Sequence, residues 1–396
     1  MWSVPEDVSG FLRDMGNVDI VVGIPSFNNR DTIGFVAEVA ACGIKSTGLS
    51  GLIVNADGKS SDGTADAFMK SKTEDVPKMS YSYIGPSGKG TAMKSVMEVS
   101  QMLNAKVVVF LDSDLRSVKP WWIERLAVPI LEEKASYVAP LYLRHKYDGT
   151  ITNTICYPLT SALYGIKIRQ PIGGDFGLSA EIIQKILEKP ADIWKSNVAR
   201  FGIDIFTTTT ALNESERGVF QAALGAKVHD LKDPAKHLEG MFMQVVDTLF
   251  RLMITYEERW KQVFDINEAQ MYGESPQENI AKMTIDENLL QKRAKHMVFE
   301  TAERLEKYLP KELIEKVLQQ GVISCEEWAS VVFNSALVFK HQPSEQIIKN
   351  LIGFYFARVA GFVEETAGLS SEEAESVVDQ QVDTFLNMKR RFVERW

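Results

Sequence analysis

The chain has 396 residues, more than one ordinary core accommodates, so two domains are expected. A net charge of −9 excludes a chain-wide attraction to nucleic acid, and no stretch reaches the roughly 18 consecutive apolar residues of a membrane span. Cys42, Cys156 and Cys325 stand far apart without Cys-x-x-Cys spacing, which argues against a disulfide framework or a thiolate zinc site. Met1 to Gly16 has no basic start followed by an apolar block, so a cytoplasmic protein is expected.

The first half alternates short apolar runs with helical stretches, the pattern of a sheet built from crossover units. Val18 to Ile24 reads as a strand ending at Pro25, followed by a helix over Asp31 to Ala41. Gly51 to Asn55 reads as a second strand running into Asp57-Gly58, with a helix over Asp62 to Lys70. After a strand over Met79 to Ile84, Gly85-Pro86-Ser87-Gly88-Lys89-Gly90-Thr91 opens a helix that continues to Leu103. This glycine-rich segment has neither Walker nor dinucleotide spacing, and it fits an anion site or a plain turn equally well.

Val107 to Leu111 has no polar alternation, which marks an interior strand covered on both faces. It empties into Asp112-Ser113-Asp114, placing two carboxylates in the crevice beyond the strand end. Such carboxylates stay ionised together only beside a cation or hydrogen-bond donors. A hard divalent metal shared with a diphosphate is one solution, and a solvated loop pair is the other reading of a D-x-D.

A helix over Pro120 to Lys134 and a strand over Ser136 to Tyr142 follow. Gln170-Pro171-Ile172-Gly173-Gly174-Asp175 fits a close backbone approach to a ligand or an ordinary turn, and Gly202-Ile203-Asp204 starts a helix. His229 closes the run Val219 to Val228 and is either a metal ligand or an ordinary histidine. From about Pro234 the texture becomes helical, beginning with the stripe Met241, Val245, Val246, Leu249, Leu252, Met253. Helices are expected over Asn288 to Tyr308, Glu327 to His341, Ser344 to Glu365 and Glu372 to Trp396, with a capping box at Ser370. The expected division is an α/β domain over 1–235 and an all-helical region over 236–396 that serves packing or oligomerisation.

In register, these segments resemble the GT-A fold nucleotide-sugar glycosyltransferases, and more narrowly the retaining mannosylglycerate and glucosyl-3-phosphoglycerate synthases. The carriers are Pro25-Ser26-Phe27-Asn28-Asn29, Asp57-Gly58-Lys59-Ser60-Ser61-Asp62-Gly63-Thr64, Ser87 to Gly90, Asp112 to Asp114, Gln170 to Asp175, Gly202 to Asp204 and Lys227-Val228-His229. The likeness spans about residues 18 to 250 and implies a Rossmann-like mixed central sheet flanked by helices, followed by an all-α C-terminal region.

By position, the resemblance implies that Pro25, Ser26, Phe27, Asn29 and Asp57 hold the nucleoside and that Lys89 approaches the nucleotide. Asp112 and Ser113 would meet the ribose side, and Gly173, Gly174 and Asp175 would border the sugar. A divalent metal, Mg2+ or Mn2+, would sit on Asp114 and His229. Asp204 would lie near the sugar and acceptor hydroxyl, making Asp204 and Lys89 the catalytic pair, with Thr150, Thr152 and Asn153 completing the acceptor site. Thr150 stands where an arginine facing an acceptor phosphate is expected, with Arg144 and Lys146 as the nearby cations. The implied partners are a nucleoside diphosphate sugar, UDP-glucose or GDP-mannose, and a small hydroxy acid, in a homo-oligomer without nucleic acid. The implied reaction is a retaining hexosyl transfer. An inverting enzyme of similar fold and a sugar-nucleotide-binding protein without turnover are the alternatives.

Overall fold

The structure is a computed structural model describing residues 2–228, 238–280 and 282–396. Its sheet has eight strands: β1 (Ile20–Ser26), β2 (Gly51–Asp57), β3 (Lys78–Ser82), β4 (Val107–Phe110), β5 (Ala135–Leu143), β6 (Gly177–Ser179), β7 (Gly218–Ala226) and β8 (Gln270–Tyr272). They lie in the order β8-β7-β5-β6-β4-β1-β2-β3. All pairings are parallel except those of β6, which runs antiparallel to both β4 and β5. The expected mixed sheet flanked by helices is present. The apolar runs of β1 and β4 follow from cover on both sides. Val36 and Ala40 of helix Arg30–Thr47 and Trp122 and Leu126 of helix Trp121–Leu131 share one core with Val22 and Val109. Met93, Val96 and Met97 of helix Lys89–Met102 are likewise fully buried.

Pro25 does not end β1 as expected, for the strand continues to Ser26. The reason is that β4 pairs with β1 only from Ile20 to Gly23, so no ladder on that side needs a Pro25 N–H. Opposite β5, the register of β7 slips between Ala223 and Gly225, a bulge one turn of chain before Lys227.

Two compact units emerge, neither continuous in sequence: 1–143, 172–230 and 269–279 form the first, and 144–171, 231–268 and 280–396 the second. The first holds the eight-stranded sheet. The second is mostly helical and centres on helix Glu345–Thr366, whose Phe354, Tyr355, Phe356 and Arg358 are fully buried. Arg358 is neutralised there by a bidentate pair with Glu365, both contacts at 2.7 Å. The Ser370 capping box opens helix Ser371–Val393 as expected. No helix among the described residues is long and apolar enough to cross a membrane.

Gly90 lies inside helix Lys89–Met102, where alanine would ordinarily add up to about 1 kcal/mol of stability. A Cβ there would meet the Val198 carbonyl oxygen at 1.8 Å. Gly90→Ala is therefore expected to destabilise the protein by about 2 kcal/mol or more in urea unfolding, reversing the propensity order.

Candidate active site

The loops after β1 and β2 are zipped together. Asn28 takes a left-handed conformation that asparagine tolerates, and its N–H donates to the Ser60 hydroxyl at 2.8 Å. The Ser61 N–H donates to the Asn28 side-chain oxygen at 3.0 Å, and the Asn29 N–H to the Thr64 hydroxyl at 2.8 Å. Beneath them the buried Asp57 carboxylate accepts from the Ser60 N–H at 2.8 Å, the Ser60 hydroxyl at 2.6 Å and the Ser26 hydroxyl at 3.1 Å. Asn55 donates to the Ser26 hydroxyl at 2.7 Å. The Phe27 ring, 61% exposed, stands out from this otherwise committed polar cradle.

Ser113 joins the cradle to a second group. Its hydroxyl donates to the Asn29 side-chain oxygen at 2.8 Å, and its carbonyl accepts from the Thr32 hydroxyl at 2.7 Å. One residue earlier, Asp112 is gripped by two ammonium groups. Lys89, from the start of its helix, reaches Oδ1 at 2.9 Å, and Lys227, just past β7, reaches Oδ2 at 2.7 Å. Lys227 also meets Asp175 at 2.8 Å, and Lys89 meets Asp204 at 3.1 Å. The Asp112 N–H donates to Asp175 at 2.7 Å, and the Tyr142 hydroxyl donates to the same carboxylate. Gly174 is required here, since a Cβ would lie 2.3 Å from an Asp112 oxygen and 2.5 Å from the Lys89 nitrogen. Gly173 is buried beside it.

Three carboxylates and two ammonium groups thus share a largely buried crevice. Burial works against an ionised Asp112, but Lys227 and Lys89 outweigh it and hold the carboxyl well below its usual range. Burial likewise disfavours the Lys89 cation, and Asp112 and Asp204 reverse that and raise its pKa. Asp204 is the group left over. Burial pushes its carboxyl up to about 6, with Lys89 opposing and the Asp112 charge adding to the rise. Its Oδ1 is buried and has no hydrogen-bond partner among the described residues.

Of the expected site residues, Pro25, Ser26, Phe27, Asn29, Asp57, Lys89, Asp112, Ser113, Gly173, Gly174, Asp175 and Asp204 all lie in the first unit. Thr150, Thr152 and Asn153 lie in the second and are buried. Thr150 shares a hydrogen bond of 2.7 Å with the Tyr355 hydroxyl, and the Asn153 amide is taken up by the Lys146 carbonyl at 3.1 Å and by Arg169 at 2.9 Å. Lys146 does not supply the acceptor charge considered for it. Its ammonium is buried and donates to the carbonyls of Thr366 and Leu369 at the end of helix Glu345–Thr366. Gly88 and Gly90 also differ from an open phosphate loop. A Cβ on either would strike the backbone of residues 198–199, and the Gly88 N–H is given to the Tyr83 hydroxyl at 3.0 Å.

Asp114 is half-buried on the loop after β4, and His229 lies outside the described residues. The chain just before His229 is tied to that loop, with the Arg116 N–H donating to the Val228 carbonyl at 2.9 Å and the Val228 N–H to the Ser117 hydroxyl at 2.8 Å. Among the described residues no cluster of three or more His, Cys, Asp or Glu is arranged to hold a metal. Sequence reasoning missed Lys227, Tyr142 and Asn55 as members of the site. Lys227 was visible only as the first residue of the Lys227-Val228-His229 segment.

The sheet is mixed, and the polar residues gather at the carboxyl ends of its parallel strands, where α/β sheets bind ligands. No family model matches the chain. It is similar to the glucosyl-3-phosphoglycerate synthase of Mycolicibacterium paratuberculosis, with 25% identity over 252 residues covering 58% of this chain and 71% of the relative. The same-named protein of Mycolicibacterium smegmatis is 25% identical over 252 residues, 58% of this chain and 76% of its own. Among solved structures, the Mycobacterium tuberculosis glucosyl-3-phosphoglycerate synthase with Mg2+ and uridine diphosphate aligns at 23% identity and a TM-score of 0.47, covering 63% of this chain and 85% of that one. Its complex with Mn2+, uridine diphosphate and phosphoglyceric acid aligns at 24% identity and a TM-score of 0.48, covering 64% and 84%.

A carboxyl whose pKa is raised on folding from 3.8 to about 6 binds more protons in the folded chain between those values. Its ionisation therefore costs stability as pH rises through that window. The unfolding free energy of Asp204→Asn minus that of the wild type is expected to grow from pH 4 to 6, by about 2–3 kcal/mol, and to level off above. Urea unfolding at pH 4, 5, 6 and 7 reads this directly.

Proposed function

We propose that the chain is a metal-dependent hexosyltransferase that moves glucose or mannose from a nucleoside diphosphate sugar to a small hydroxy acid of the glycerate class, with retention at the anomeric carbon. The observation that carries this reading is the buried, unbonded Oδ1 of Asp204 beside the Lys89–Asp112 pair, at the strand ends where an α/β sheet binds ligands. The two curated relatives, both named glucosyl-3-phosphoglycerate synthase, support the same reaction class.

In this reading the nucleoside lies over the β1–β2 cradle of Pro25, Ser26, Asn29 and Asp57, with Phe27 offering an apolar face. Asp112, with Ser113 fixing its loop, meets the ribose. Gly173, Gly174 and Asp175 border the sugar, where Gly174 leaves room for nothing larger. Asp114 and His229 would hold a divalent cation, Mg2+ or Mn2+, and the hydrogen-bonded ladder between 116–117 and 228 makes those two segments suitable for a shared ion. When bound, that ion neutralises charge on the leaving diphosphate.

The chain's own residues position the reactants. Lys89 is a fixed cation beside the diphosphate, and Asp204 Oδ1 accepts a hydrogen bond from the acceptor hydroxyl. The bond from the anomeric carbon to the diphosphate oxygen breaks as the bond to the acceptor oxygen forms on the same face. The hydroxyl proton passes to the departing diphosphate oxygen. Among acceptors, unphosphorylated glycerate is favoured over phosphoglycerate. Lys146 is consumed in a helix cap, Arg144 is paired with Asp148 at 2.8 Å and Arg169 with Glu375 at 2.7 Å.

The deciding experiment is a screen of UDP- and GDP-hexoses against glycerate and 3-phosphoglycerate with Mn2+ or Mg2+, with the product anomer read by NMR. Turnover with a retained anomer is expected. Nucleotide binding without turnover on any pair would instead establish a non-catalytic binder. Asp114→Ala and His229→Ala are expected to abolish metal-dependent turnover in a folded protein. Asp204→Asn is expected to lower kcat by about a hundredfold while changing nucleotide affinity by no more than about threefold.

A further inference from the structure

Asp112 is held at two points by one ring of contacts. Its N–H donates to Asp175 Oδ1 at 2.7 Å, while Asp175 Oδ2 meets the Lys227 ammonium at 2.8 Å and that ammonium returns to Asp112 Oδ2 at 2.7 Å. Backbone and side chain of the same residue are thus closed into a loop through one carboxylate and one cation. The ring is supported from below. The Tyr142 hydroxyl donates to Asp175 Oδ2, and the Lys227 nitrogen lies 4.8 Å from the centre of the Tyr142 ring. Asp175 is fully buried and the Lys227 side chain is 7% exposed, so neither geometry is set by solvent.

Two further features aim the ring. The bulge in β7 advances the chain by one residue opposite Leu141 and Tyr142, which brings Lys227 to the crevice side of the strand end. The Ala226 N–H next to it is fixed by Glu278 at 2.6 Å. On the other side, Gly174 presses its backbone against the Asp112 carboxylate, since even a Cβ would lie 2.3 Å from it. Asp112 is thus held from several sides in the orientation these contacts define.

We propose that Lys227, Asp175 and Tyr142 form a splint that fixes the Asp112 carboxylate before the donor arrives and thereby sets the affinity for its nucleotide half. This rests on the proposed function, in which Asp112 meets the ribose. The three are positioning residues: their action on the nucleotide runs through Asp112. The preformed orientation removes an ordering cost that binding would otherwise meet. Losing the splint should thus weaken nucleotide binding more than it slows the chemical step.

The test is calorimetric binding of UDP and of GDP, each with Mn2+, to the full chain. Lys227→Met is expected to raise Kd for the bound nucleotide at least about tenfold. Lys227→Arg, which keeps a cation able to bridge two carboxylates, recovers most of that loss, and Lys227→Met combined with Asp175→Asn is no weaker than the worse single variant, because both open the same ring. Tyr142→Phe removes a single hydroxyl and raises Kd about threefold, which keeps the test available if Lys227→Met does not fold. A Kd within about twofold of wild type in Lys227→Met or, failing that variant, in Tyr142→Phe, overturns the splint while leaving the transferase reading intact. A wild-type chain that binds neither nucleotide overturns both.

Discussion

The Asp112 carboxylate caught between Lys89 and Lys227 is the constraint on which the rest of the crevice depends. Each of its oxygens has its own ammonium partner. Because Asp175 takes the remaining reach of Lys227 and Asp204 that of Lys89, the two cations are shared among three acids. Burial opposes the ionisation of Asp204, whose Oδ1 is left unbonded among the described residues. A site organised this way is stiff around Asp112 and unsatisfied at Asp204.

Much of this was legible in the sequence. The uniform apolar run Val107 to Leu111 announced an interior strand, and the acids behind it marked the crevice. Local patterns also placed the helices, as the Ser370 box shows. What stayed hidden depended on contacts distant in the chain. Nothing near Lys227 records that its partners are residues 112 and 175, and nothing near Lys146 records that it closes a helix ending at Thr366. The three-residue β6 is too short to carry a period, yet it supplies the antiparallel step and delivers Asp175. The glycines at 88 and 90 invited a phosphate reading because sequence cannot distinguish room left for a ligand from room taken by the backbone of residues 198–199.

The helical unit manages buried cations differently. Lys146 and Lys389 are satisfied by main-chain carbonyls, those of Thr366 and Leu369 for the first and of Ala162, Leu163 and Val263 for the second. Burial lowers the Lys389 ammonium to about 7. Each lysine thus serves the carbonyl end of a helix, the electronegative pole of its dipole. In the crevice, by contrast, side-chain acids oppose each ammonium.

The partition of the chain has a bearing on how it is made. Segment 144–171 leaves the ribosome long before the helices it belongs with, and Lys146 waits for a carbonyl 220 positions downstream. The sheet, by contrast, lacks only the edge strand contributed by 269–279 once residue 230 has emerged. Nascent protein therefore carries a nearly finished sheet and a stranded apolar stretch around Ile155, Tyr157 and Leu159 at the same time. That interval is when the polypeptide most needs shielding from other chains.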